Sequence, residues 1–75
     1  MNKDRRKRIN ELYQTLSEAA DTLQTILDEE EEYRDNIPDN LQGSERYEKA
    51  EESCNNLDNA LYSLNEVFDY LLEAI

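Results

Sequence analysis

The sequence is interrupted once, at Asn36-Ile37-Pro38-Asp39-Asn40-Leu41-Gln42-Gly43, which contains its only proline and its only glycine. Both residues interrupt helices, and the residue before a proline is disfavoured in helical geometry. The stretches on either side contain neither residue. We therefore expect a helix over about 3–35, a connection over 36–43 and a second helix over about 44–75, all in one domain that spans 1–75.

The connection predicts several local features. Asn36 tolerates the left-handed conformation that ends many helices. Pro38 to Leu41 can form one tight turn, and Ile37 and Leu41 are expected to pack beneath the end of the helix pair. Ser44 is the expected N-cap of the second helix, because acidic residues follow it in the first turn.

Apolar residues on both sides of the connection recur at alternating spacings of three and four, which is typical of helices packed along a narrow seam. On the first helix the expected seam comprises Ile9, Leu12, Leu16, Ala19, Leu23, Ile26, Glu30 and Tyr33. On the second it comprises Tyr47, Ala50, Cys54, Leu57, Leu61, Leu64, Phe68, Leu71 and Ile75. Folding back at the connection pairs Tyr33 with Tyr47 and Ile9 with Leu71. The pattern predicts an all-α antiparallel two-helix hairpin, resembling a coiled coil.

Two residues of this seam are unusual. Glu30 is expected opposite the small Ala50, so its stem can pass that side chain and reach water. Cys54 is the only cysteine and cannot form an internal disulfide, so we expect it to be a small buried apolar residue.

The apolar stripe is wider than a two-helix seam requires. Flanking positions that usually carry charge in a two-stranded coiled coil are apolar here. A face of this width favours helices in a bundle, so we expect two hairpins to dimerise into a four-helix bundle. The expected oligomer interface comprises Tyr13, Ala20, Leu27, Ala60, Val67 and Leu72.

Composition narrows the function. The chain has 75 residues, 19 acidic and 8 basic, giving a net charge of −11. Such a charge argues against direct binding to nucleic acid or to an anionic membrane and permits binding to a basic protein surface. The N-terminus lacks the apolar run of a signal peptide, and no apolar stretch is long enough to span a bilayer. A cytoplasmic location is therefore expected.

Acidic residues concentrate around the connection. The candidate partner-binding set there comprises Asp28, Glu29, Glu31, Glu32, Asp35, Glu45, Glu48 and Glu52. Three interpretations remain open. The acidic residues can form a solvated face, a docking surface that imitates nucleic acid and binds a basic protein, or a divalent-metal site. The metal site is the weakest, because a calcium loop needs a central glycine and carboxylates without histidine make a poor zinc site.

Two further clusters are candidates for binding. The N-terminus carries Lys3, Arg5, Arg6, Lys7 and Arg8, among which Arg5, Arg6 and Arg8 are the candidate anion contacts. The favoured alternative is an electrostatic pairing of this cluster with Glu66, Asp69 and Glu73 at the end of the second helix. Tyr62 and Tyr70 are expected on the outer face, as a partner contact or as ordinary surface residues.

No catalytic constellation is present in the sequence. Histidine is absent, there is no glycine-rich phosphate loop, and no nucleophile stands beside a base. We therefore expect no enzymatic activity, no catalytic residue and no cofactor or metal.

The segment Asp35-Asn36-Ile37-Pro38-Asp39-Asn40-Leu41-Gln42-Gly43-Ser44-Glu45-Arg46-Tyr47-Glu48 resembles one found in small helical-hairpin proteins of phages and prophages of Gram-positive bacteria. The resemblance implies an origin in a mobile element. Small acidic proteins from that source are often inhibitors of host proteins, including defence nucleases. No established activity of that family can be carried over to individual residues.

Three functions follow as hypotheses. The leading one is a non-enzymatic interaction protein that binds and inhibits or modulates a host protein through its acidic surface. The second is an assembly module whose own oligomer is its function. The third is a sponge for an anionic nucleotide, held near Arg5, Arg6 and Arg8.

Overall fold

The computed structural model describes residues 1–75 as two long helices joined by a short connection. Helix α1 spans Lys3–Asp35 and helix α2 spans Glu45–Ala74, with a single 3₁₀ turn at Asp39–Leu41 between them. The two helices pack side by side in antiparallel orientation, and the rod measures 59 × 15 × 12 Å. The predicted all-α hairpin is confirmed.

Both helices begin at a side-chain cap. The Asn2 side chain accepts a hydrogen bond from the Arg5 amide at 2.8 Å, and Ser44 Oγ accepts one from the Tyr47 amide at 3.3 Å. Each cap satisfies one of the amide groups that a helix start leaves without a partner. Ser44 is the N-cap that the sequence predicts.

The end of α1 differs from the expectation. Asn36 stays in the right-handed region at φ −86° and ψ −4°, and no residue of the chain has a positive φ. Its amide still donates to the Glu32 carbonyl at 3.0 Å, as in a helix. The chain leaves the helix only at Ile37, where the following Pro38 disfavours helical geometry, so no left-handed residue is needed.

The connection forms a compact cap on the rod. The Leu41 amide donates to the Pro38 carbonyl at 2.8 Å, which gives the predicted tight turn. Ile37 is buried, with 2% of its surface exposed, whereas Leu41 is 40% exposed. Ile37 therefore packs beneath the helices as expected, and Leu41 does so only in part.

Helix α1 is rotated about its axis relative to the predicted seam. Leu12, Ala19, Ile26 and Tyr33 are exposed. In their place, the residue that follows each of them in the sequence faces α2. The observed seam of α1 comprises Ile9, Tyr13, Leu16, Ala20, Leu23, Leu27, Glu30 and Arg34. The seam of α2 follows the prediction, apart from the exposed Ile75 at the end of the chain.

Two contacts between the helices account for this rotation. The Tyr13 and Phe68 rings meet with their centroids 5.0 Å apart and their planes inclined by 54°. The Tyr33 hydroxyl accepts a hydrogen bond from Arg46 Nε at 2.8 Å, outside the seam. Turning α1 to bury Tyr33 would separate both pairs, because each depends on the same orientation of the helix.

Tight packing is confined to the end of the rod that carries the connection. Only four of the 75 side chains are buried, namely Leu27, Ile37, Ala50 and Cys54. Glu30 lies on the seam near Ala50 and is half-buried, and no buried side-chain polar atom lacks a hydrogen-bond partner. This agrees with a Glu30 carboxylate that reaches water past a small neighbour.

Replacing Ile37 by alanine should destabilise the fold. Removal of a fully buried isoleucine side chain costs about 2–5 kcal/mol, and few other buried side chains can compensate. The free energy of unfolding, followed by circular dichroism in urea, measures the loss. Leu41→Ala in the same connection is the control, with an expected cost below about 1 kcal/mol because that side chain is already half in water. Equal losses would contradict the buried role of Ile37.

Replacing Gly43 by alanine should stabilise the fold. Gly43 has no positive φ, and a Cβ built on it meets no atom within 4 Å. Alanine then restricts the unfolded chain without straining the folded one, for a gain of about 0.4–1 kcal/mol. The same urea titration measures this, and a loss of stability would show that the backbone of Gly43 needs glycine.

Candidate interaction surfaces

The acidic end of the rod comprises the carboxylates that surround the connection. Its members are Asp28, Glu29, Glu30, Glu31, Glu32, Asp35, Asp39, Glu45, Glu48, Glu51 and Glu52, of which all but Glu30 and Glu31 are exposed. The basic residues within this stretch are Arg34, Arg46 and Lys49. The acidic end is thus a dense negative surface on rigid helical backbone.

The cations of the acidic end are already engaged. Arg34 pairs with Asp35 at 3.0 Å, and Lys49 pairs with Glu45 at 3.1 Å. The Arg46 guanidinium lies 5.3 Å from the centroid of the Tyr33 ring, a cation–π arrangement. The remaining carboxylates therefore have no basic side chain of the chain itself as a partner.

The predicted partner-binding acids are consequently of two kinds. Asp35 and Glu45 form ion pairs, and Asp28 accepts a hydrogen bond from Gln24 at 2.9 Å. The unpaired members are Glu29, Glu31, Glu32, Glu48 and Glu52. No three carboxylates of the chain converge in an arrangement that could hold a metal ion.

Tyr62 and Tyr70 lie on the outer face of α2, as predicted, with 67% and 70% of their surfaces exposed. They line a shallow groove together with Glu66, Asp69 and Glu73. This groove lies on the half of α2 remote from the connection. The structure thus does not bring the two tyrosines together with the acidic end, and they form a separate surface.

The basic tip comprises Lys3, Arg5, Arg6, Lys7 and Arg8 at the opposite end of the rod. None of these residues forms an ion pair with Glu66, Asp69 or Glu73. The favoured expectation of an electrostatic pairing between the chain ends is therefore wrong. The reason is orientation, because Lys3, Arg6 and Lys7 line a groove on the surface of α1 alone, and the three acids lie on the outer face of α2.

The structure brings together only two of the three predicted anion contacts. Arg5 and Arg8 line a shallow groove with Met1, Ile9 and Leu12. Arg8 also pairs with Asp4 at 3.1 Å, in an exposed contact that contributes little stability.

Arg6 lies on a different side of α1. Both its Nε and Nη2 donate to the Met1 carbonyl, at 3.1 and 2.6 Å. It therefore does not share an anion site with Arg5 and Arg8.

One side of the rod carries exposed apolar residues from both helices, and we name it the apolar face: Leu12, Ala19 and Ile26 of α1 with Ala60 and Val67 of α2. Within each helix the members lie seven residues apart and share a stripe. Tyr33 continues the α1 stripe and Arg46 continues the α2 stripe. Their hydrogen bond places both stripes on the same side of the hairpin.

The predicted oligomer interface changes accordingly. Tyr13, Ala20 and Leu27 face α2 within the hairpin and are not available to a second copy. Ala60 and Val67 are exposed on the apolar face. Leu72 is 54% exposed but lies on the other side of the α2 seam. The sequence identifies the width of the stripe, and only the rotation of α1 decides which residues remain outside.

The side opposite the apolar face is polar except for Leu72, near the end of α2. Its positions are occupied by Asn10, Ser17 and Gln24 on α1 and by Asp58 and Asn65 on α2. The two sides of the hairpin thus differ strongly in polarity. A contiguous exposed apolar side of this kind is a candidate contact surface.

Cys54 is a buried thiol with a raised pKa. It is 3% exposed, and burial raises its pKa, while Glu30 and Glu31 add to the increase and Arg34 opposes it. Reactive cysteines need the opposite setting, an exposed thiol in positive surroundings. This agrees with the role of a small apolar residue.

Comparison with other proteins provides no relative: no family model matches the chain, and no similar curated protein or solved structure is found. Neither helix contains a stretch apolar and long enough to cross a lipid bilayer.

The stability contributed by Cys54 should fall at high pH. Since its pKa is raised in the folded state, the thiol favours folding fully below its ordinary pKa of about 8.5, and this contribution is lost as pH rises through the folded pKa. Cys54→Ser, which does not titrate in this range, is the reference. The difference in unfolding free energy between wild type and variant should be smaller at pH 10 than at pH 7, under reducing conditions. A difference independent of pH would contradict the buried thiol.

Proposed function

We propose that this chain is a non-enzymatic interaction protein whose acidic end binds a basic surface of another protein and thereby inhibits or modulates it. The observation that carries the proposal is the state of the charges at that end. Every local cation is held by a neighbouring side chain, so the unpaired carboxylates can be neutralised only from outside the chain.

The rigidity of the acidic end suits such binding. The unpaired carboxylates project from two packed helices, where residues three or four apart lie about 5–6 Å from one another. A row of negative charges on a rigid rod can imitate the phosphates of a nucleic acid in its electrostatic attraction for a basic surface. The best partner is a basic protein surface that ordinarily holds DNA or RNA, because charge complementarity accelerates encounter and selects the partner.

The resemblance of the connection to phage and prophage proteins is consistent with this function. In that setting the chain acts in the cytoplasm of a bacterial host, and a nucleic-acid-binding host protein, including a defence nuclease, is the expected target. This part of the proposal rests on the similarity of one segment and on the acidity of the chain.

The proposed functional form is a dimer in which two hairpins make a four-helix bundle. The hairpin exposes 5770 Å², whereas a compact monomer of its mass is expected to expose about 4,800 Å². The excess of roughly 1,000 Å² is similar to the area that one partner contributes to a standard protein interface, about 800 Å².

The apolar face also favours a second candidate, an assembly module whose own oligomer is its function. The two candidates differ in what they bind. An assembly module has no separate basic partner, whereas the proposed interaction protein retains one through the acidic end.

Affinity capture from a bacterial lysate at low salt tests the proposal. Wild type should retain a basic protein, and Glu48→Gln/Glu51→Gln/Glu52→Gln should lose at least tenfold of that retention. The control is Glu66→Gln/Asp69→Asn/Glu73→Gln, which changes the net charge equally at the far end of α2 and should retain the protein. Raising the salt from about 0.05 to 0.5 M should release it, because salt screens charge attraction.

Three outcomes would contradict the acidic-end proposal. Equal retention by both variants would show that local charge is irrelevant, and loss with the control alone would move binding to the Tyr62 and Tyr70 groove. Capture of nothing but the chain itself would favour the assembly module.

A further inference from the structure

We infer that the apolar face is covered by a second copy of this chain in head-to-tail orientation, with the basic tip of each copy against the acidic end of the other. This rests on the proposed four-helix bundle and adds its contact face and its direction. The two hairpins are then related by a twofold axis perpendicular to the rod, which places α1 against α1 and α2 against α2.

The exposed stripe of α1 is complementary to the same stripe of a second copy that runs in the opposite direction. It reads Arg5, Leu12, Ala19, Ile26 and Tyr33 at intervals of seven. Against a second copy running the other way, Leu12 meets Ile26, Ala19 meets Ala19, and Arg5 meets the Tyr33 ring. Apolar side chains thus cover apolar side chains, and a cation lies on an aromatic ring.

The adjacent stripe of α1, at the rim of the same face, is complementary in the same sense. It reads Arg8, Thr15, Thr22 and Glu29. In reverse, Arg8 meets Glu29 of the partner copy and Thr15 meets Thr22. Glu29 has no ion-pair partner within its own chain, so the second copy supplies one.

The centre of the face is shaped for close approach. Ala19 on α1 and Ala60 on α2 lie at the same level of the rod, which follows from the register set by the Tyr33–Arg46 contact. Both are small and exposed. With Ala19 and Ala60 on the twofold axis, the helices of two copies can come near each other while Leu12 and Ile26 pack on either side of Ala19. On α2, Val67 then meets the small Ser53 of the second copy.

Charge decides between the two possible directions of packing. A second copy with its connection at the same end would place two acidic ends side by side, each with eleven carboxylates against three cations. Head-to-tail packing separates the two acidic ends by most of the 59 Å length of the rod, far beyond the screening distance of about 8 Å at physiological salt. It also places Arg5 and Arg8, which have no acidic partner on α2, beside the acidic end of the second copy.

Disulfide trapping tests the face and the direction together, in a Cys54→Ser background. Ala19→Cys alone and Ala60→Cys alone should each form a covalent dimer under mild oxidation, because each residue then lies beside its own copy. In the same-end arrangement Ala19 lies beside Ala60, and only a mixture of the two variants forms the bond. Light scattering on the reduced proteins gives the oligomeric state independently.

The outcomes separate this inference from the proposed bundle. A reduced dimer that is trapped only in the mixture overturns the head-to-tail direction and leaves the bundle intact. A reduced dimer that is trapped in neither case overturns the choice of face. A monomer at high concentration overturns the bundle itself, together with this inference.

A charge exchange provides a second test that needs no cysteine. Arg8→Glu should raise the dissociation constant of the dimer about tenfold, since two favourable ion pairs become unfavourable. Arg8→Glu/Glu29→Arg should restore it to within about threefold of wild type. The two positions lie roughly 30 Å apart on one helix, so the rescue can act only between copies. The control is Arg6→Glu, which makes the same change of charge away from the apolar face. It should leave the dissociation constant within about threefold of wild type. Failure of the rescue would overturn the head-to-tail pairing.

Discussion

The rotation of α1 about its own axis decides which of its apolar residues face α2 and which face water. The Tyr13–Phe68 ring contact and the Tyr33–Arg46 hydrogen bond lie near opposite ends of the rod and both require that rotation. It commits Leu27 to the buried cluster and leaves Leu12 and Ile26 in water. A rotation that returned Leu12 and Ile26 to the seam would expose Tyr13, Ala20 and Leu27 instead, so the α1 part of the apolar face depends on this angle.

The distribution of charge gives the rod a direction. The basic tip and the acidic end lie at opposite poles because the chain reverses once, at the connection, and the cations cluster at its start. Neither cluster is neutralised by the other helix within the hairpin. The rod thus carries opposite charges at its two ends and an apolar surface on one side. Contacts with other molecules could cover that apolar surface and balance those charges. The proposed dimer covers the apolar face and pairs part of the acidic end, and the proposed basic partner binds the carboxylates that remain.

Local signals in the sequence were sufficient for the elements. Pro38 and the Ile37 before it predicted where α1 ends, and Ser44 predicted where α2 begins, because helix termination and capping act over a few residues. The α2 seam, from Tyr47 to Leu71, also followed from spacing alone. The left-handed Asn36 was wrong, since the chain keeps a helical turn until the proline prevents the next one. The sequence therefore predicts the position at which a helix ends more reliably than the backbone conformation of the residue that ends it.

The sequence by itself determined two helices, one reversal, the buried Cys54 and a concentration of acid around the connection. Only the tertiary structure decided which two of the three apolar positions of α1 face α2, because a stripe three positions wide is compatible with either choice. It also decided that Arg8 pairs with Asp4 and not with α2, since that depends on the side of the rod from which each charge projects. Periodicity encodes that a helix has an apolar side, whereas contacts between particular side chains, such as Tyr13 with Phe68, select the angle at which that side is used.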